Sequence, residues 1–147
     1  MREILFRGKD IKGNWYEGLL AHNIAKDEWY ISNKAGISTA YQVRPETIGQ
    51  FTGLTDRNDT KIFEGDIVEY EGKRYSINYL THYARFLAVK PNSVFCVFAY
   101  QRGEVIGNIY DNPELIGEDM NVPANVSTNI STTATDTNVG GKGGDTT

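Results

Sequence analysis

Apolar and polar positions alternate with a period of two over much of the chain, and that period predicts strands. It is cleanest from Arg74 to Tyr79. There Tyr75, Ile77 and Tyr79 point one way and Arg74, Ser76 and Asn78 the other, as in an antiparallel strand with one solvated face. Near the N-terminus Lys12-Gly13-Asn14 makes a turn, and the strand that follows, WYEGLL, sets Tyr16 and Leu20 on one face. Glu71-Gly72-Lys73, Pro91-Asn92-Ser93 and Gln101-Arg102-Gly103 divide the later half into short runs. One stretch, THYARFLAVKPN, admits two readings. Either Thr81 caps a helix with Tyr83, Phe86 and Leu87 on one face and Lys90-Pro91 at its end, or residues 81–90 form another strand; the strand is preferred.

Short strands at nearly even spacing predict a mostly β protein with little helix, built from small antiparallel barrel-like modules. Residues 1–50 form a first β-rich module in this reading, and residues 51–117 a second, barrel-like one. The second opens on a hairpin, runs through GDIVEY and closes with VIGNIY before Pro113, an order compatible with an SH3-like barrel. Residues 118–147 contain no aromatic side chain and are rich in Thr, Asn, Ser and Gly. Such a segment buries too little apolar surface to offset its ordering entropy, so a disordered tail is expected.

Composition changes this picture in three places. Nine Tyr, six Phe and two Trp in 147 residues reinforce the β reading. Four acids and Lys142 lie after Gly117, so the net charge of −4 leaves a nearly neutral body of 14 basic and 15 acidic residues. A protein held to nucleic acid by phosphate contacts usually carries a basic surplus on its folded part, and none is visible. Cys96, the only cysteine, excludes an intrachain disulfide and sits in the apolar run SVFCVFAY. The start, MREILFRGKD, resembles neither a signal peptide nor a membrane span, so a reducing cytoplasm is the expected compartment. The glycosylation patterns at Asn125 and Asn129 then have no use, and the glycine run at Gly140 lacks the spacing of a phosphate loop.

Candidate chemistry concentrates in FTGLTDRNDTKIFEGDIVEY, residues 51–70. Asp56, Asn58 and Thr60 imitate the first ligands of a calcium loop, but Lys61 and Ile67 stand where that loop requires Gly and Glu. A looser divalent site from Asp56, Asp59, Glu64 and Asp66 is an alternative. The residues are better explained as folding information: Asp56-Arg57-Asn58-Asp59 bonds its own amides in a turn, Gly65 supplies an unusual backbone conformation, and Asp66 accepts from nearby amides. Glu64 and Asp66 would share a strand face as neighbours at i, i+2, which is poor placement for flanking a glycosidic bond from two sides. Cys96 could pair with His22 or His82 as a nucleophile, yet Phe95 and Val97 beside it favour a buried, inert thiol. His22 reads as a loop residue and His82 as a strand-edge or turn residue. No catalytic residue, metal ligand or cofactor site is assigned. Trp15, Tyr16, Trp29, Tyr30 and Tyr41, with Arg57 in the hairpin turn, are the candidate partner-binding residues, with the core of the N-terminal module as the competing role for the aromatics.

The hairpin together with EVIGNIYDNPELIG at Glu104 to Gly117 resembles the YopX protein family of phages and prophages. FRGKDIKGNWYEGLL and VRPETIGQFTGL fit the same pattern, so the likeness spans about Ile4 to Gly117 and leaves the tail outside. The resemblance implies a β-rich phage protein without catalytic residues to transfer. The expected function is therefore that of a non-enzymatic accessory protein that binds macromolecules in the host cytoplasm, with a protein partner, itself included as a homo-oligomer, ahead of nucleic acid. The alternatives are a nucleic-acid-binding barrel and a metal-dependent hydrolase using the Asp56 to Asp66 carboxylates.

Overall fold

Asp10 folds the first hairpin. Its Oδ1 accepts from the amides of Lys12 and Asn14, each at 2.8 Å, and Gly13 takes φ +94°, so the chain turns back on itself between β1 (Phe6–Lys9) and β2 (Trp15–Asn23). β3 (Glu28–Ser32) and β4 (Ala40–Val43) continue the meander. A 3-10 turn at Pro45–Thr47 leads into β5 (Gly49–Thr55) and β6 (Lys61–Phe63). Then come β7 (Asp66–Tyr70), β8 (Lys73–Leu80), β9 (Arg85–Lys90), β10 (Ser93–Val94), the single helical turn α1 (Ala99–Arg102) and β11 (Glu104–Asn108). The computed structural model describes residues 1–32, 39–90, 93–94 and 99–117. The expected turn at Pro91-Asn92, the thiol of Cys96 and the tail lie outside the described residues.

The mostly β expectation holds. Two antiparallel sheets form, one in the order β4-β3-β2-β1-β5-β6 and the other in the order β10-β9-β8-β7-β11. Among the described residues both stay open, with ends at β4, β6, β10 and β11, and neither closes into a barrel. The first sheet takes in β5 and β6, and the passage between sheets falls at Glu64 and Gly65. Residues 81–90 combine a 3-10 turn at Thr81–Tyr83 with the strand β9, as the strand reading expected. Gln101 and Arg102 belong to α1 where a plain turn was expected.

Alternation places Val68, Tyr75, Ile77 and Ala88 on one face of the second sheet, and Ile62 from the first sheet completes that core. One hydrophobic cluster is thus built from both sheets. Ser76, on the opposite face, is only 2% exposed, so β8 is covered on both sides where its alternation predicted one solvated face.

Candidate functional site

Gly65 is where the chain passes from one sheet to the other. Its φ is +88°, its amide donates to the Ile77 carbonyl at 2.8 Å, and its carbonyl accepts from Ile109 at 2.9 Å. This kink separates Glu64 from Asp66. Asp66 turns inward, where its Oδ1 lies 2.6 Å from Arg7 Nη2 and its Oδ2 accepts from the Phe63 amide at 2.7 Å. Burial pushes its carboxyl up, against the pull of Arg7 and of the Phe63 amide. The Arg7 guanidinium lies 5.0 Å from the ring centroids of both Trp15 and Phe63. Glu64 instead stays half-buried beside a groove, so the two carboxylates share no strand face and do not face one substrate.

Asp56 is buried, at 4% exposure. Its Oδ1 accepts from Asn58 and Thr60 at 2.8 and 2.9 Å, and its Oδ2 accepts from Val105 at 2.9 Å. Desolvation raises its carboxyl, but these amides outweigh burial and leave it below the ordinary value of 3.8. Asp59 is exposed in the turn with φ +61°. The four acids therefore go to different neighbours, and no group of three or more His, Cys, Asp or Glu side chains among the described residues is placed to hold a metal ion.

The five candidate aromatics do not form one patch. Strand register puts Tyr16, Trp29 and Tyr41 on one face of the first sheet and Trp15 and Tyr30 on the other. Tyr16 stacks on Tyr41 with centroids 4.0 Å apart, and Trp29 stacks on His22 at 3.9 Å. His22 is thus a strand residue of β2, where the sequence suggested a loop. Trp15 donates from Nε1 to Asp111 at 2.7 Å and packs 5.9 Å from Tyr110, tying the first sheet to the turn after β11. Lys9 pairs with the same carboxylate, which these bonds hold at about 2. Tyr30 donates to Glu28 at 2.7 Å. Arg57, at the hairpin turn, pairs with Glu104 and donates its amide to the Gly103 carbonyl.

Among the described residues, two surfaces stand out. On the first sheet, the rows Leu19, Ser32, Ala40 and Ala21, Tyr30, Gln42 make six adjacent positions without a charge, with Leu19 at 54% exposure. β4, the strand beside them at the sheet edge, has the sequence AYQV, without the Lys, Pro or bulge that commonly protects an edge.

The second surface is a groove of about 520 Å³ where β5 meets β8 and β9. Arg2, Thr52, Glu64, Tyr79, Arg85 and Phe86 contribute to its walls. Tyr79 and Phe86 are cross-strand partners packed edge to face at 5.1 Å. Burial raises the Glu64 carboxyl, and the amides of Gln50 and Tyr79 pull it back only in part. The sequence reading missed Arg2, Tyr79, Arg85 and Phe86. Their one local signal was the excess of aromatics near residue 80, because the opposite wall comes from residues 50–54.

Two open antiparallel sheets, locked by an internal ion pair and leaving a ligand-sized groove at their seam, define an all-β two-sheet protein. Its chain belongs to the YopX protein family, whose model matches residues 6–117. It is similar in fold to the crystal structure of protein EF1440 from Enterococcus faecalis, with a TM-score of 0.52 and 26% identity, covering 80% of this chain and 100% of that one. No curated protein matches it. No helix among the described residues is long and apolar enough to cross a membrane.

Proposed function

We propose that this is a non-enzymatic accessory protein of a phage or prophage, acting in the host cytoplasm by binding macromolecules, first of all copies of itself. The observation that carries the reading is the uncharged patch of Leu19, Ala21, Tyr30, Ser32, Ala40 and Gln42 on β2, β3 and β4, which reaches the unprotected edge of β4. An edge strand with free amides and carbonyls pairs with another strand, and flanking apolar side chains supply the contact area. The hairpin carboxylates support the same reading. Asp56 and Asp66 have both oxygens engaged inside the fold, where a reagent would need one free.

Light scattering on the full chain tests self-association. The expected mass is a multiple of the single chain, and Leu19→Glu with Gln42→Lys should return it to the monomer with an unchanged melting temperature, since both positions are exposed. A wild-type monomer at high micromolar concentration would overturn the reading.

A further inference from the structure

The seven ion pairs among the described residues use Arg7, Lys9, His22, Arg44, Arg57, Lys61 and Arg74. Arg2 and Arg85 are in none of them, and both line the groove between β5 and the β8–β9 hairpin. The body up to Gly117 is nearly neutral, and the groove brings these two cations together with the Glu64 carboxyl. Arg85 lies over the Tyr83 ring at 5.9 Å, next to the Tyr79 and Phe86 pair. Tyr79 is 45% exposed and so offers ring surface to a planar ligand. Glu64, a half-buried acceptor, lines the same groove. The volume falls within the roughly 300–1,000 Å³ usual for small-molecule sites.

Three chemistries are combined here: cations for an anionic group, an aromatic surface for a flat ring, and a carboxyl for N–H donors. We propose that this groove binds a nucleoside phosphate, free or within a single strand, with its phosphate on Arg2 and Arg85, its base against Tyr79 and Phe86, and an amino group of the base on Glu64. An acidic peptide would satisfy the two arginines and leave both the ring surface and the acceptor unused. Because desolvation disfavours the charged form of Glu64, a ligand that brings N–H donors gains more there than one that brings a further carboxylate. The inference uses no residue of the β2–β4 face, so it stands or falls separately from self-association.

Calorimetric titration with the four nucleoside monophosphates, and anisotropy of labelled single-stranded 12-mers, test it on the full chain. Binding is expected to weaken at least tenfold in Arg2→Ala/Arg85→Ala and in Tyr79→Ala, with melting temperatures near wild type because these side chains are exposed. Contact with one phosphate of a strand predicts a salt slope of about −0.7 in log K against log concentration. Glu64→Gln should reorder the preference among the four bases. Tighter binding of the 12-mers than of the monophosphates would assign the groove to single strands, and equal binding to free nucleotides; both support the proposal. It is overturned if no nucleotide or strand binds at low salt, if binding survives the double arginine variant, or if inorganic phosphate or a poly-glutamate peptide binds as well as the nucleotides.

Discussion

Asp56 shows how much of the acidic hairpin is construction. Three amides point at one buried carboxylate, two from its own turn and one from Val105 across the fold. Removing a buried acceptor costs about 1–3 kcal/mol, since the donors left inside lose their partner. Asp56→Ala should therefore lower the unfolding free energy by about 2 kcal/mol in urea titrations followed by tryptophan fluorescence. The pH dependence follows from the sign of the shift. A carboxyl held below its ordinary value stabilises the fold above that value and loses the contribution as pH falls through the lowered one. Asp111, held at about 2, places that loss between about pH 4 and about pH 2, and Asp56, also lowered, adds to it in the same sense. Glu64 and Asp66, both raised, work in the opposite sense, favouring the folded state toward acid pH and opposing it as pH climbs through their folded values. The urea midpoint of the wild type should drop on going from pH 4.5 to pH 2.5, and more steeply than that of Asp56→Ala. The turn amides of Asn58 and Thr60 were legible from the Asp-Arg-Asn-Asp sequence itself. The Val105 amide was not, because nothing local links positions so far apart in the chain.

At the scale of elements, the period-two signal found the strands, and the turn residues found the hairpins. Glu71 and Gly72, both with positive φ, make the tight connection between β7 and β8 that Glu71-Gly72-Lys73 predicted. Which strand joins which sheet was illegible. β5 pairs with β1 through Phe6 and Gln50, β6 pairs with β5 through Phe51 and Phe63, and such a register is set by burial across the whole fold. Gly65 ends the first sheet because a kink with positive φ must separate Glu64, kept at the groove, from Asp66, turned inward. A side chain there would meet Tyr110 at 3.0 Å on a backbone that L-residues rarely adopt. Gly65→Ala should cost about 1–3 kcal/mol in the same urea titration. Gly72→Ala, with φ +71° but open space around it, should cost less, and a larger loss at Gly72 would contradict this assignment of the pivot.

On the scale of the molecule, the two sheets are joined at Ile62, which completes the core of the second sheet, and at Arg7 and Asp66. The groove depends on that union, since one wall of it comes from each sheet. The sequence held both charges in plain view and gave no sign that they meet, because residue 7 lies on β1 of the first sheet and residue 66 on β7 of the second. The central claim is that this pair couples the sheets, and a double-mutant cycle measures the coupling directly. Unfolding free energies of Arg7→Met, Asp66→Asn and the double variant should show each single change costing about 3–5 kcal/mol, because the partner charge is left buried, with the double variant costing much less than their sum. Single losses below about 0.5 kcal/mol, or losses that simply add, would contradict the account.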